Sequence, residues 1–305
     1  DKRSKAWRIA ERKKYKNERD WRRQMMRDWT TAAGEAFYPE FQADPKKYVH
    51  RITHLLNVPM VRGWDFGFRM PACCFMQAAP NGRVAIIREV MPDNINTWNF
   101  RDLVRYLSGQ IPFEELQEKK RIRAMQWVNY IKESKWLPDP PWFQPGMYFM
   151  DYSGPECYKV SDLEQEGKAR NVFDIMGEGG IHLNVFSARP SAREEVFRNL
   201  MQMRDDGLPG LLLDPTCRWL ISGLAGGIAY PKKGSIKNPL PDEPAKDGFF
   251  EHLHDAAGYA LVNISTLAVF EDTARKMEWF GRIEREVEQD SESLNIHEAR
   301  NVFWD

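Results

Sequence analysis

The sequence predicts an α/β fold, a mixed β-sheet flanked by helices. Residues 61–68, 72–77 and 83–90 are short apolar runs, and the Asn81-Gly82 pair between the last two is a strong hairpin signal. Together they read as a three-strand antiparallel meander. After it, strand-like runs alternate with helical ones, which suits a mixed sheet covered by helices. Hydrophobic residues make up 42% of the 305-residue chain and aromatics 12%, so a sizeable core can form.

The first strand carries the strongest chemical signal. In Val61-Arg62-Gly63-Trp64-Asp65-Phe66-Gly67-Phe68, a carboxylate sits mid-strand among apolar and aromatic residues. Burying Asp65 costs free energy unless a partner offsets it, and a metal ion is one such partner. No turn or capping role is evident for it.

The remaining elements follow in order. Residues 1–57 are expected to be a basic helical arm or linker. Residues 1–29 hold 12 Lys/Arg against 5 Asp/Glu, interleaved with Trp7, Tyr15, Trp21 and Trp29. That pattern suits a nucleic-acid backbone, but charged helical faces are common and a solvated linker helix packing its aromatics on a neighbour is the plainer reading. Pro39, Pro45 and Pro59 break the lead-in to the domain. Pro92-Asp93-Asn94 turns the chain into a helix with Trp98, Phe100, Leu103, Val104 and Leu107 on one face. A second helical run is expected over residues 113–135, with a basic cluster at 119–123.

Beyond the break at 138–141, residues 147–154 read as a strand ending at Asp151 and a Gly turn. Ser161-Asp162-Leu163-Glu164 and Ser191-Ala192-Arg193-Glu194 have capping-box spacing. Between them lies a strand at 181–186, and another follows at 210–215. The Pro- and Lys-rich stretch 230–248 is a long loop, and such loops are usually functional or mobile. His252-Leu253-His254-Asp255 opens an apolar helix. Residues 276–305 are a charged helical tail, and residues 58–275 are the folded domain.

Composition bounds the function. Lys+Arg and Asp+Glu are both 44, so global charge names no partner. Cys73, Cys74, Cys157 and Cys217 lack C-x-x-C spacing and read as buried thiols. No signal peptide is visible, and no apolar run is long enough to span a bilayer, so no membrane partner is expected. The chain opens on Asp1 instead of Met, so a longer parent chain is expected. Asp65-Phe66-Gly67 spells the kinase metal motif, but the catalytic loop, Gly-rich loop and lysine that accompany it are missing. No Walker A lysine loop and no G-x-S-x-G occur.

Three acids stand out by context: Asp65, Asp151 at a strand end and Asp255 at a helix start. If they converged they would repel one another unless Mg²⁺ or Mn²⁺ lay between them, and hard oxygen donors select those ions over zinc. Two such ions would clamp a phosphodiester for attack by water. Plainer roles stand beside this one: a turn or cap for Asp151, an N-cap for Asp255, a turn for Asp214. His252 and His254, two residues apart, point to opposite sides of a helix and lack a matching third zinc ligand.

These residues also resemble a known family. Gly63-Trp64-Asp65-Phe66-Gly67, Asp151-Tyr152-Ser153-Gly154 and His254-Asp255-Ala256-Ala257-Gly258-Tyr259-Ala260 occur in the order seen in the C-terminal nuclease domain of large terminase subunits from tailed bacteriophages. Leu213-Asp214-Pro215-Thr216-Cys217-Arg218-Trp219-Leu220-Ile221 with Gly226-Gly227 resembles the stretch before that family's third acid. The resemblance covers residues 58–275. It implies an RNase H-like (retroviral integrase-like) fold and an endonuclease with two divalent metals that cuts concatemeric viral DNA during packaging. It implies Asp65, Asp151 and Asp255 as the Mg²⁺ or Mn²⁺ ligands and double-stranded DNA as substrate. It further implies a packaging ATPase domain, a small terminase subunit and a portal as partners, and the host cytoplasm as location, with no place in the mature virion. Other RNase H-like nucleases of resolvase or transposase type, and a catalytically silent DNA-binding module of a packaging motor, are the competing readings.

Overall fold

The computed structural model describes residues 36–56, 58–67, 70–79, 82–159, 170–230, 244, 246 and 248–269. The expected basic arm before residue 36, the capping box at Ser161, most of the 230–248 loop and the charged tail lie outside the described residues.

The described chain divides into two units. One holds the residues up to Pro45 with Arg218–Glu251; the other holds Lys46–Cys217 with the residues from His252 on. In chain order, helix α1 is Pro39–Ala43, strands β1, β2 and β3 are Met60–Asp65, Ala72–Ala78 and Val84–Val90, and α2 is Thr97–Leu107. Then come α3 (Phe113–Glu118), α4 (Ile122–Glu133), β4 (Phe149–Ser153), α5 (Val172–Glu178), β5 (Leu183–Val185), α6 (Pro190–Met201), β6 (Leu211–Leu213), α7 (Arg218–Ser222) and α8 (Phe250–Val269).

In the smaller unit, Ala36 bridges Ala229, and the Phe37 N–H donates to the Ile228 carbonyl at 3.1 Å. The Phe37 ring lies 4.9 Å from Tyr38 and 5.0 Å from Tyr230, giving this unit its own aromatic packing.

The larger unit is built on one six-stranded sheet in the order β5-β4-β1-β2-β3-β6. The meander is antiparallel, and β4, β5 and β6 run parallel to their neighbours. Strand order and directions from β5 to β3 are those of the RNase H-like fold, with β6 added on the β3 edge. The predicted mixed sheet is therefore present.

Strand β1 is central and buried along its whole length. Side chains alternate across it, so Arg62 and Trp64 face one side while Gly63 and Asp65 face the other. The Trp64 side is the main apolar core, where Phe75, Phe100, Leu103, Val104, Leu107 and Val128 are all fully buried. Burying each such side chain contributes about 1.5–3 kcal/mol. Helix α2 delivers its apolar stripe there as predicted, and Asn96 caps it by accepting the Asn99 N–H at 2.8 Å. On the other side of β1, α8 approaches so closely that a Cβ on Gly63 would lie 2.0 Å from the Ala256 carbonyl oxygen. Only glycine admits that contact.

The irregular lead-in is held by buried polar side chains. Gln77 accepts the Leu55 N–H at 2.9 Å and donates to the Leu55 and Val58 carbonyls. Asp214 accepts the Thr216 N–H at 3.0 Å, as expected of a turn residue, and also the Ile52 N–H at 3.0 Å. All four cysteines are buried free thiols, as expected.

Several boundaries differ from expectation. The single helical run over 113–135 is two helices, because Lys120 takes a left-handed φ of 51° and closes α3. Arg121 N–H reaches back to Leu116 O at 2.9 Å and Lys120 N–H to Gln117 O at 3.0 Å, a Schellman ending with Lys in the place glycine usually fills. Helix α6 does not use Ser191 as a cap. It starts at Pro190, whose fixed φ suits the first helical position. Helix α8 starts at Phe250, so Asp255 lies in its second turn and is not its N-cap.

Candidate functional site

Asp65 ends β1 with only 9% of its surface exposed. Its Oδ2 lies 2.8 Å from His252 Nδ1, at the start of α8. Gly67 leaves room for that imidazole, since a Cβ there would stand 2.7 Å from the ring. Burial pushes the Asp65 carboxyl above the usual carboxylate range; the negative charges of Asp255 and Glu156 add to this, and His252 opposes it.

Asp255 reaches the same end of the sheet from α8. Arg193 of α6 donates from Nη2 to its Oδ1 at 3.0 Å, and His254 Nδ1 is 3.5 Å from the same oxygen. His254 itself is buried and stacked on Phe197 at 4.7 Å. The third acid is Glu156, in the 3-10 turn Pro155–Tyr158 that follows β4. The Tyr259 hydroxyl donates to Glu156 Oε2 at 3.0 Å. Burial leads in pushing the Tyr259 phenol above its ordinary value, so it stays protonated as a donor.

Asp151 is elsewhere. It is paired in register with Arg62 across the parallel β1–β4 ladder, and its side chain shares Arg62's face of the sheet. Arg62 Nε and Nη2 donate to its two oxygens at 2.6 and 2.9 Å, and Trp64 Nε1 donates at 2.7 Å. Arg62 is anchored in turn by Ser108 and Gln110 and lies over the Phe149 ring at 4.3 Å. This arrangement corrects the expected convergence. Asp65 and Asp255 come together, whereas Asp151 is saturated on the opposite face, three register positions back.

Sequence reading missed Glu156, Arg193 and Tyr259. Tyr259 lies in the H-D-A-x-x-Y run, one helical turn after Asp255, so its side of α8 is legible in the sequence. Glu156 stands two residues beyond Gly154, in a turn that follows the strand. Nothing in the sequence singled out Arg193.

The donor set is three carboxylates with a histidine behind one of them. It is hard, oxygen-rich and short of positive charge around Asp65, which fits a Mg²⁺- or Mn²⁺-type ion by chemistry. The geometry is not closed around an ion. Among the described residues no group of three or more His, Cys, Asp or Glu stands ready to hold a metal. Each carboxylate is turned toward a protein partner: His252, Tyr259 or Arg193.

No family model matches the sequence, and no curated protein matches it. Among solved structures, the chain is similar to the large terminase of a thermophilic bacteriophage, with a TM-score of 0.42 and 14% identity over 86% of this chain and 53% of that one. It is also similar to the nuclease domain of the g2p large terminase of bacteriophage SPP1 with bound Mn, with a TM-score of 0.40 and 15% identity over 70% of this chain and 94% of that one. The chain spans about half the length of the thermophilic phage's terminase. Among the described residues no helix is long and apolar enough to cross a membrane.

Proposed function

We propose that this chain is a metal-dependent endonuclease acting on double-stranded DNA, the nuclease part of a large terminase that cuts concatemeric viral DNA during genome packaging. One observation carries the reading. A buried Asp65 ends the central strand with Asp255 and Glu156 close enough to disfavour its ionisation. The ends of parallel strands are where α/β sheets place their sites, and an acid cluster there has a chemical use.

Asp65, Glu156 and Asp255 would hold Mg²⁺ or Mn²⁺, and Asp151 would not. The bound ions would supply an activated water and charge neutralisation for phosphodiester hydrolysis. The chain's own residues do the positioning. His252 fixes which Asp65 oxygen faces inward, Tyr259 orients Glu156, and Arg193 orients Asp255. The surrounding apolar helix α8 keeps bulk water from the back of the cluster. A packaging ATPase domain, a small terminase subunit and a portal are the partners such a nuclease would serve, in the host cytoplasm.

Plasmid cleavage in Mg²⁺, Mn²⁺ or EDTA tests the reading. Cleavage should need the metal, and Asp65→Ala should lower it by at least about a hundredfold. Cleavage that ignores EDTA, or that survives in the variant, would sink the proposal. A second reading, a catalytically silent DNA-binding module, draws on the protein partners that each acid already has. It predicts DNA binding without cleavage in either metal. Nicking confined to branched DNA would instead favour a resolvase-type nuclease.

A further inference from the structure

Arg193 is placed with unusual care. It projects from α6 with 7% exposure, and its Nη1 donates to the Ala188 carbonyl at 3.0 Å. Nη2 takes Asp255, and the guanidinium carbon lies 4.5 Å from the Tyr259 ring centroid. Nε is buried with no hydrogen-bond partner among the described residues. The aliphatic stem crosses α8 at Gly258, where a Cβ would come within 2.9 Å of Arg193 Cδ. One cation thus touches Asp255 directly and the ring of the tyrosine that holds Glu156.

We infer that Arg193 is the site's built-in counter-cation: it neutralises Asp255 while no metal is bound, and a divalent ion must compete with it for that carboxylate. This rests on the metal-binding reading above and deepens it. The physical reason is charge. Three carboxylates at the end of β1 repel one another, and a fixed guanidinium offsets part of that repulsion. The same charge opposes an arriving cation. Arg193 is a positioning residue, and its removal has opposite effects on the two states. The metal-free protein loses a neutralising partner, and the metal gains an unopposed ligand.

Calorimetric titration of EDTA-stripped protein with MnCl₂ reads the competition directly. Arg193→Gln should bind Mn²⁺ more tightly than the wild type, on the order of tenfold for a coupling of this kind. Its melting temperature without metal should fall, and its metal-induced rise should exceed that of the wild type. Arg193→Lys keeps the charge and should stay near wild-type affinity. Gly258→Ala displaces the Arg193 stem without deleting the charge, should shift affinity the same way as Arg193→Gln, and serves if Arg193→Gln does not fold. A purely structural Arg193 would loosen the site and weaken Mn²⁺ binding in Arg193→Gln. That result, or equal affinities, overturns this inference and leaves the nuclease reading standing. A folded wild type that binds no Mn²⁺ overturns both.

Discussion

Two aspartates on neighbouring parallel strands, Asp151 and Asp65, look alike in sequence and sit on opposite faces of one sheet. Asp151 receives three hydrogen bonds from Arg62 and Trp64, two of them from a guanidinium. Its charge is cancelled where it stands, and its oxygens are occupied. Asp65 has one imidazole beside it and two further carboxylates nearby, and its ionisation is disfavoured. A charge fully matched by the fold is part of the fold. A charge left under-compensated at a strand end is available to a ligand. Burial alone separates the two poorly, because both are mostly inside.

Asp151→Asn has the largest expected effect. It leaves the buried Arg62 charge without its carboxylate and should cost about 3–5 kcal/mol in urea unfolding. Mn²⁺ affinity in the folded fraction should stay at the wild-type level; a lost metal site with intact stability would reverse the assignment of the two faces. Next is Glu156→Gln, expected to lower metal-dependent cleavage by about a hundredfold while the melting temperature holds or rises, since repulsion falls. A large loss of stability there would make Glu156 structural.

Gly63→Ala probes the site side of the sheet through packing alone. With a Cβ driven into the Ala256 carbonyl, α8 must shift, and about 1–3 kcal/mol of stability should go with it. A neutral result would show that α8 is not seated against β1.

A smaller effect sharpens the contrast through pH. Burial alone would raise the Asp102 carboxyl, but the Arg101 and Arg121 hydrogen bonds overcome this and hold it below the usual range. A depressed folded value means that its stabilising contribution is present above the unfolded value and lost as pH falls through the folded one. Melting temperature should therefore drop as pH falls below about 4, less steeply in Asp102→Asn. The smallest effect belongs to the surface pair Lys119–Glu115 within the α3 turn. Lys119→Ala should change stability by at most about 0.5 kcal/mol.

Much of the fold was readable because local rules and tertiary demand agreed. The apolar runs 72–77 and 83–90 paired as antiparallel strands, and the apolar stripe from Phe100 to Leu107 and the run behind Asp255 each became the helix their pattern called for. Boundaries slipped where one residue's backbone outweighed a motif. Pro190 began α6 ahead of the Ser191 box, and Lys120 ended α3 inside an otherwise helical run. The site was half legible. Asp65 was conspicuous as a charge inside an apolar strand, and Asp255 lay in a recognisable helix. Glu156 sat in a turn where an acid is unremarkable.

Periodicity, turn chemistry and desolvation cost act over a few residues, and they suffice for the strand–helix succession, the burial of β1 and a carboxylate that needs a partner. Which partner each carboxylate receives depends on contacts between distant parts of the chain. Arg62 and Asp151 meet across 89 residues of chain, and Asp65 and His252 across 187. The face that each acid occupies depends on strand register, and a shift of one residue would exchange a structural ion pair for a member of the acid cluster.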